Sequence, residues 1–196
     1  MDCVNYSELD MDDWGEILLK PLQGRRFPLA AEFEITDRCN LDCVHCFINQ
    51  PAGSAAQIQR ELSTEEIKEI LDQIADAGCL HLLFTGGEPL LRPDFAELYL
   101  HARQKGLIVM LFTNATMVTP AVIETLKQAP PILVEVSLYG ATRETYEAVT
   151  RVPGSWERFN HGIQLLLASG IPLALKSVVL QKNKAELPLM QKFAAD

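Results

Sequence analysis

A short apolar run followed by an amphipathic helical stretch recurs from about Leu29 to the end of the chain, and this alternation constrains the fold more than any other feature. Strands separated by helices are joined by crossovers, and crossovers place the strands side by side in one parallel sheet. Five strands are expected, at Leu29–Thr36, Leu80–Thr85, Leu107–Thr113, Ile132–Leu138 and Pro172–Leu180. The helix signals between them are specific. Ser63 with Glu66 forms a capping box, and Ile67, Ile70, Leu71 and Ile74 repeat at helical spacing until Gly78. Pro93 opens a second helix with Phe95, Leu98, Tyr99 and Ala102 on one face, and Thr119-Pro120 opens a third. Gly154-Ser155-Trp156 starts a fourth, whose stripe is Phe159, Ile163, Leu166 and Leu167 and whose end is Gly170; Asn183 with Glu186 reads as the cap of a fifth.

Residues 1–28 read as an N-terminal extension with one helix near Asp12 to Lys20, and residues 29–196 as a single core domain. With 196 residues, 48% hydrophobic and 22% charged, the chain is long and apolar enough to bury a core of its own. Residues 49–59 are small and polar and read as a loop. Against 17 basic residues stand 26 acidic ones, a net charge of −9, which is the wrong sign for binding nucleic acid by counterion release. The most apolar window, 162–180, is broken by Gln164, Gly170, Pro172 and Lys176, so no membrane span is expected. The acidic N-terminus lacks the positive and apolar regions of a signal peptide, which points to the cytoplasm and to reduced thiols.

The strand Ile132–Leu138 has two unlike faces. Ile132, Val134, Val136 and Leu138 form one; Leu133, Glu135 and Ser137 form the other. A carboxylate and a hydroxyl are costly in a dry core, so the second face is expected to line a ligand cavity. Pairing of Glu135 with a basic neighbour such as Lys176 is the alternative.

Directly after the first strand comes Cys39-x-x-x-Cys43-x-x-Cys46. Three thiolates on one loop suit an iron–sulfur cluster, whereas a closed zinc site wants four ligands and no fourth Cys lies in the loop. His45 would be a strained fourth zinc ligand, and three buried thiols with no metal are the remaining alternative. Gly86-Gly87-Glu88-Pro89 follows the second strand; its glycines permit close backbone approach and its carboxylate can accept from an ammonium. Both motifs, together with Thr113-Asn114, Ser137 and the stretch from Gln181 to Asn183, fall at the C-terminal ends of strands, where parallel β-α folds bind ligands. Cys79 reads as a small buried apolar residue and Cys3 as part of a mobile terminus. His81, His101 and His161 show no ligand spacing.

The three-cysteine loop with a ring residue, His45, before the last Cys, and the GGEP turn after strand two, together resemble the signature of radical S-adenosylmethionine enzymes. The stretches TNAT and SLYGATRETYEAVTRVPGSWERFNHGIQLLLASGIPL are similar to the branch holding peptide- and sulfatase-modifying maturases and enzymes of molybdenum-cofactor and quinone-cofactor biosynthesis. The resemblance covers about residues 29–183.

What the resemblance implies is an α/β fold, a partial parallel (β/α) barrel of which about five β-α units are present. The family core usually has one more, so either a strand is missing or the chain is a fragment of a longer protein. Cys39, Cys43 and Cys46 would hold a [4Fe-4S] cluster whose open iron is chelated by S-adenosylmethionine. Gly86, Gly87 and Glu88 would receive the cofactor's ammonium. Ser137 and Arg151 would bind its carboxylate or ribose, Asn114 would line the same pocket and His45 would lie near the adenine. Reductive cleavage would yield a 5′-deoxyadenosyl radical that acts on a peptide, a protein or a small cofactor precursor, with an electron donor such as flavodoxin or ferredoxin. A non-catalytic cluster-binding or partner-binding module and a structural zinc protein are the rival readings.

Overall fold

The computed structural model describes residues 28–48 and 50–195 together with Lys20, Gly24 and Arg26. Strand β1 (Ala30–Glu34) leads into a small ladder of β2 (Arg38–Cys39) and β3 (Gln50–Pro51) that brackets the cysteine loop. There follow α1 (Ala55–Ile58), α2 (Thr64–Asp76), β4 (His81–Thr85), α3 (Phe95–Gln104), β5 (Ile108–Thr113), α4 (Pro120–Gln128), β6 (Leu133–Ser137), α5 (Arg143–Thr150), α6 (Ser155–Ser169), β7 (Leu173–Lys176) and α7 (Leu187–Ala195). The five longer strands are all parallel and lie in the order β1-β4-β5-β6-β7, an open five-stranded portion of a (β/α) barrel. Among the described residues no helix is long and apolar enough to cross a membrane.

The register explains the core. Phe33 pairs with Phe84, Phe84 with Leu111, Leu111 with Val134 and Val134 with Leu173, so one apolar row crosses the sheet on a single face. Helices cover that face with Ile67 and Leu71 of α2, Leu98 and Tyr99 of α3, Leu126 of α4, and Phe159 and Leu166 of α6, all buried. On the other face Phe112 pairs with Glu135 and Ser137 with Lys176. The two-faced reading holds within β6, where Val134 and Val136 are fully buried while Leu133, Glu135 and Ser137 are only partly covered, but Ile132, expected on the apolar face, precedes the strand and is 50% exposed. Lys176 does not reach for Glu135; its Nζ lies 4.3 Å over the Phe112 ring.

Several expectations are corrected. β7 ends at Lys176 rather than Leu180, because buried Asn183 turns the chain there: it accepts from the Leu180 N–H (2.7 Å) and donates to the carbonyls of Val178 (2.9 Å) and Tyr139 (3.2 Å). Asn183 does stand at the N-cap position of the turn Lys184–Glu186 that leads into α7, but its side chain makes no capping bond there. Its supposed partner Glu186 caps α5 instead, accepting from the N–H groups of Ala141 and Thr142 and from the Thr142 and Thr145 hydroxyls. Leu167, placed in the apolar stripe of α6, is 61% exposed, since the stripe drifts past it. The segment read as a loop carries α1, capped by Ser54. The helix near Asp12 to Lys20 lies outside the described residues except for Lys20 itself.

An ion cluster fixes the approach to the cysteine loop. Arg38 donates Nε (2.8 Å) and its second terminal nitrogen (2.9 Å) to the Glu61 carboxylate, and a third donor to the Ala52 carbonyl (2.8 Å). Thr36 also donates to Glu61, and Arg92 lies 3.7 Å from it while clamping Asp94. Burial raises the Glu61 pKa, but the hydrogen bonds from Arg38 and Thr36 outweigh this and hold it below the ordinary carboxylate range. A depressed native pKa contributes stability above the unfolded pKa and loses it as pH falls. Glu61→Gln should accordingly cost about 2 kcal/mol of unfolding free energy at pH 7, measured by urea denaturation, and the gap to wild type should close as the solution is acidified through the carboxylate range. Equal stabilities at pH 7 would show the cluster to be energetically idle.

Candidate functional site

The loops at the C-terminal ends of the strands are drawn together by backbone contact. Gly86 has φ 145°, and a Cβ there would lie 2.2 Å from the Thr36 carbonyl oxygen; a Cβ at Gly87 would lie 2.3 Å from that of Arg38. Two hydrogen bonds cross the gap, from Gly87 N–H to Thr36 (2.8 Å) and from Glu88 N–H to Arg38 (2.9 Å). The glycine pair thus laces the β4 loop to the segment that enters the cysteine motif.

The far side of the cysteine loop is fastened to α5. Asp42 and Val44 donate their N–H groups to the carbonyls of Thr150 (3.0 Å) and Val149 (2.9 Å), satisfying carbonyls that a helix end leaves without partners. Arg151, in the left-handed conformation at the helix end, donates to the Asp42 carbonyl (2.5 Å) and carboxylate (2.6 Å).

Between these fastenings lies a cavity of about 280 Å³. Cys39, Cys43 and Cys46 form one wall, and Gly86 and Gly87 another. Asn114, Ser137 and His45 also line it, joined by Tyr139 and Phe112. Burial pushes the Cys39 thiol up to about 11, opposed by hydrogen bonds from the Leu41 N–H (3.4 Å) and the Asn114 amide (3.7 Å). Burial and the neighbouring Cys39 and Cys46 push Cys43 up to about 12, with a hydrogen bond from Tyr139 opposing. His45 meets the Tyr139 ring edge-on at 5.0 Å; burial lowers its pKa, and its Nδ1 is buried with no hydrogen-bond partner. Among the described residues no three Cys, His, Asp or Glu side chains gather as the donor set of a single ion.

Two expected site residues stand elsewhere. Glu88 is fully buried beneath the loop, not on the cavity wall: Oε1 accepts from the Leu90 N–H (3.1 Å) and the Thr113 hydroxyl (2.8 Å), and Oε2 from the Asn114 N–H (2.7 Å). Its oxygens are committed to the chain's own donors. Burial lifts its pKa to about 7, with those hydrogen bonds opposing. Arg151 is likewise off the cavity wall, on the outer side of the cysteine loop. Conversely, Tyr139, inside the SLYG stretch, was given no role by the sequence, although an aromatic residue just past a strand's C-terminal end is a signal for the rim of such a pocket.

Residues 33–194 match the model of the radical SAM superfamily. The chain belongs to this superfamily. It is 36% identical over 160 residues to an AdoMet-dependent heme synthase of Methanosarcina barkeri, covering 82% of this chain and 45% of that protein. It is 34% identical over 166 residues to the mycofactocin maturase MftC of Mycobacterium tuberculosis, covering 84% of this chain and 41% of the relative. Among solved structures, SuiB of Streptococcus suis bound to its precursor peptide SuiA superposes with a TM-score of 0.72 at 18% identity, over 98% of this chain and 44% of SuiB, a likeness of fold. The chain therefore spans less than half the length of each of these three proteins.

If Glu88 is a fastener of the site, removing it must destabilise the protein without any ligand present. Glu88→Ala leaves two backbone N–H groups and a hydroxyl without acceptors in a buried position, each worth about 1–3 kcal/mol. A loss of at least about 2 kcal/mol in chemical denaturation of the metal-free protein is expected. Unchanged stability would show that these contacts are replaced by water.

Proposed function

We propose that this chain is the cofactor-binding core of a radical SAM enzyme, with a [4Fe-4S] cluster on Cys39, Cys43 and Cys46 and S-adenosylmethionine beside it. The observation that carries the reading is the single cavity shared by the three thiols and the Gly86–Gly87 backbone at the C-terminal ends of β1 and β4. The residues fit the group. Cysteine sulfur is the usual ligand of such iron, each thiolate meets a separate iron, and three ligands leave one iron for the cofactor. The buried, unpartnered Nδ1 of His45 marks a polar wall prepared for a bound molecule.

When bound, the cluster supplies one electron for the reductive cleavage of S-adenosylmethionine to methionine and a 5′-deoxyadenosyl radical. The protein's own residues bind, orient and exclude water. Gly86 and Gly87 take the ammonium side of the cofactor with their backbone, and Glu88 ties the turn that follows them to Asn114 at the end of β5. Ser137 faces its carboxylate or ribose, Asn114 lines the same pocket, and His45 lies near its adenine. Arg151 acts one step removed, by holding the cysteine loop through Asp42. Leu41, Phe112 and Val178 supply apolar wall that keeps water from the radical chemistry.

The substrate is read as a peptide, protein or cofactor precursor, in keeping with relatives named as a heme synthase, a mycofactocin maturase and a PqqA peptide cyclase. The setting is the cytoplasm, where thiols stay reduced, with flavodoxin or ferredoxin as electron donor.

Anaerobic reconstitution should load about four iron and four sulfide per chain, with thiolate-to-iron absorption that Cys43→Ala abolishes while circular dichroism retains the helical signal. Stoichiometric zinc in a colourless, redox-silent protein overturns the reading. A fully loaded protein that binds S-adenosylmethionine yet releases no 5′-deoxyadenosine under strong reductant is a non-catalytic module.

A further inference from the structure

Behind the cysteine loop, three polar side chains close a ring of hydrogen bonds. Thr116 donates its backbone N–H (2.9 Å) and its hydroxyl (2.6 Å) to Asn114 Oδ1. Asn40 Nδ2 donates to that hydroxyl (2.7 Å), and Asn114 Nδ2 returns a bond to Asn40 Oδ1 (2.9 Å). The ring decides which way the Asn114 amide points. A backbone N–H can only donate, so the atom facing Thr116 is the oxygen, and the nitrogen must face the other way. That nitrogen lies 3.7 Å from Cys39 Sγ, which also receives the Leu41 N–H at 3.4 Å. Asn114 and Thr116 are 6% and 7% exposed, so water does not compete for these positions.

We propose that Asn114 is an N–H···S donor that sets the reduction potential of the cluster held by Cys39, and that Thr116 and Asn40 are positioning residues acting through it. The proposal rests on the cluster reading above and adds a role for the amide distinct from lining the cofactor pocket. Hydrogen bonds to the sulfurs are among the protein's levers on cluster potential. A donor draws charge from the thiolate and favours the reduced, more negative cluster, raising the potential. The opposite amide orientation would set oxygen lone pairs against the sulfur and do the reverse, which is why an orientation held from two sides matters.

The test is the midpoint potential of the reconstituted cluster, measured by electron paramagnetic resonance titration without S-adenosylmethionine, at matched iron and sulfide content. Asn114→Leu, which removes the donor but fills its space, should shift the midpoint to a more negative value. Thr116→Val, which keeps the backbone N–H and removes only the hydroxyl from the ring, should shift it in the same direction, and Thr116→Ser should restore the wild-type value. An unchanged or raised midpoint in Asn114→Leu overturns the proposal while leaving the cluster reading intact. Should that variant take up no cluster, Thr116→Val decides, and an unchanged midpoint there overturns it. Wild type that takes up no iron and sulfide overturns the cluster reading, and the proposal with it.

Discussion

Two backbones approach each other at Gly86 and Gly87 more closely than any side chain would allow, and the geometry of the whole rim follows from that contact. The β4 loop lies against Thr36 and Arg38, so the chain leaving β1 cannot rise straight off the sheet but is bent into the cysteine loop. The same contact drives Glu88 under the rim, where its carboxylate reaches Thr113 and the Asn114 N–H at the end of β5. Three successive strand ends are thereby locked in relative position by two glycines and one carboxylate. A similar close approach seats α6: a Cβ at Gly162 would fall 2.0 Å from the carbonyl oxygen of Ala115, so the helix presses directly on the loop that carries Asn114.

This locking accounts for a division of labour among the charged groups. Charge close to the cavity is spent on structure, not on the cavity itself. Glu88 is enclosed by donors of its own chain, Arg38 is matched by Glu61, and Arg151 by Asp42. Glu88 and Arg38 are buried, where leaving a polar group's hydrogen bonds incomplete is expensive, whereas Arg151 and Asp42 pair at the half-exposed outer side of the cysteine loop. What faces the cavity is sulfur, amide, hydroxyl and ring: groups that bind by direction and shape, and that cost less to desolvate than a charge.

The sheet's open face is the counterpart of its closed one. Because strand side chains alternate, the regularity that builds the apolar row from Phe33 to Leu173 also carries Phe112, Glu135 and Ser137 to the opposite face, where they are only partly covered among the described residues. That face was legible from β6 alone, because a carboxylate and a hydroxyl at alternate positions cannot share a dry core with valines. The strands, the capping box at Ser63, the helix at Thr119-Pro120 and the cysteine spacing were legible for the same reason: each is a local pattern whose physical cause lies within a few residues.

What escaped the sequence is what depends on partners far along the chain. Asn183 and Glu186 stand three apart and read as a local cap, yet Asn183 reaches the Tyr139 carbonyl and Glu186 serves α5, more than forty positions away in sequence. Glu88 reads as a ligand group because a carboxylate after two glycines is exposed in most turns; only the neighbouring strand end, supplying Thr113 and Asn114, shows it to be enclosed. Asn114 makes the same point from the other direction. In TNAT it is one polar residue among several, and nothing in the local pattern says which way its amide points. The orientation arises where Asn40, from the cysteine loop after β2, meets Thr116, from the loop after β5, and only the folded chain brings those loops side by side.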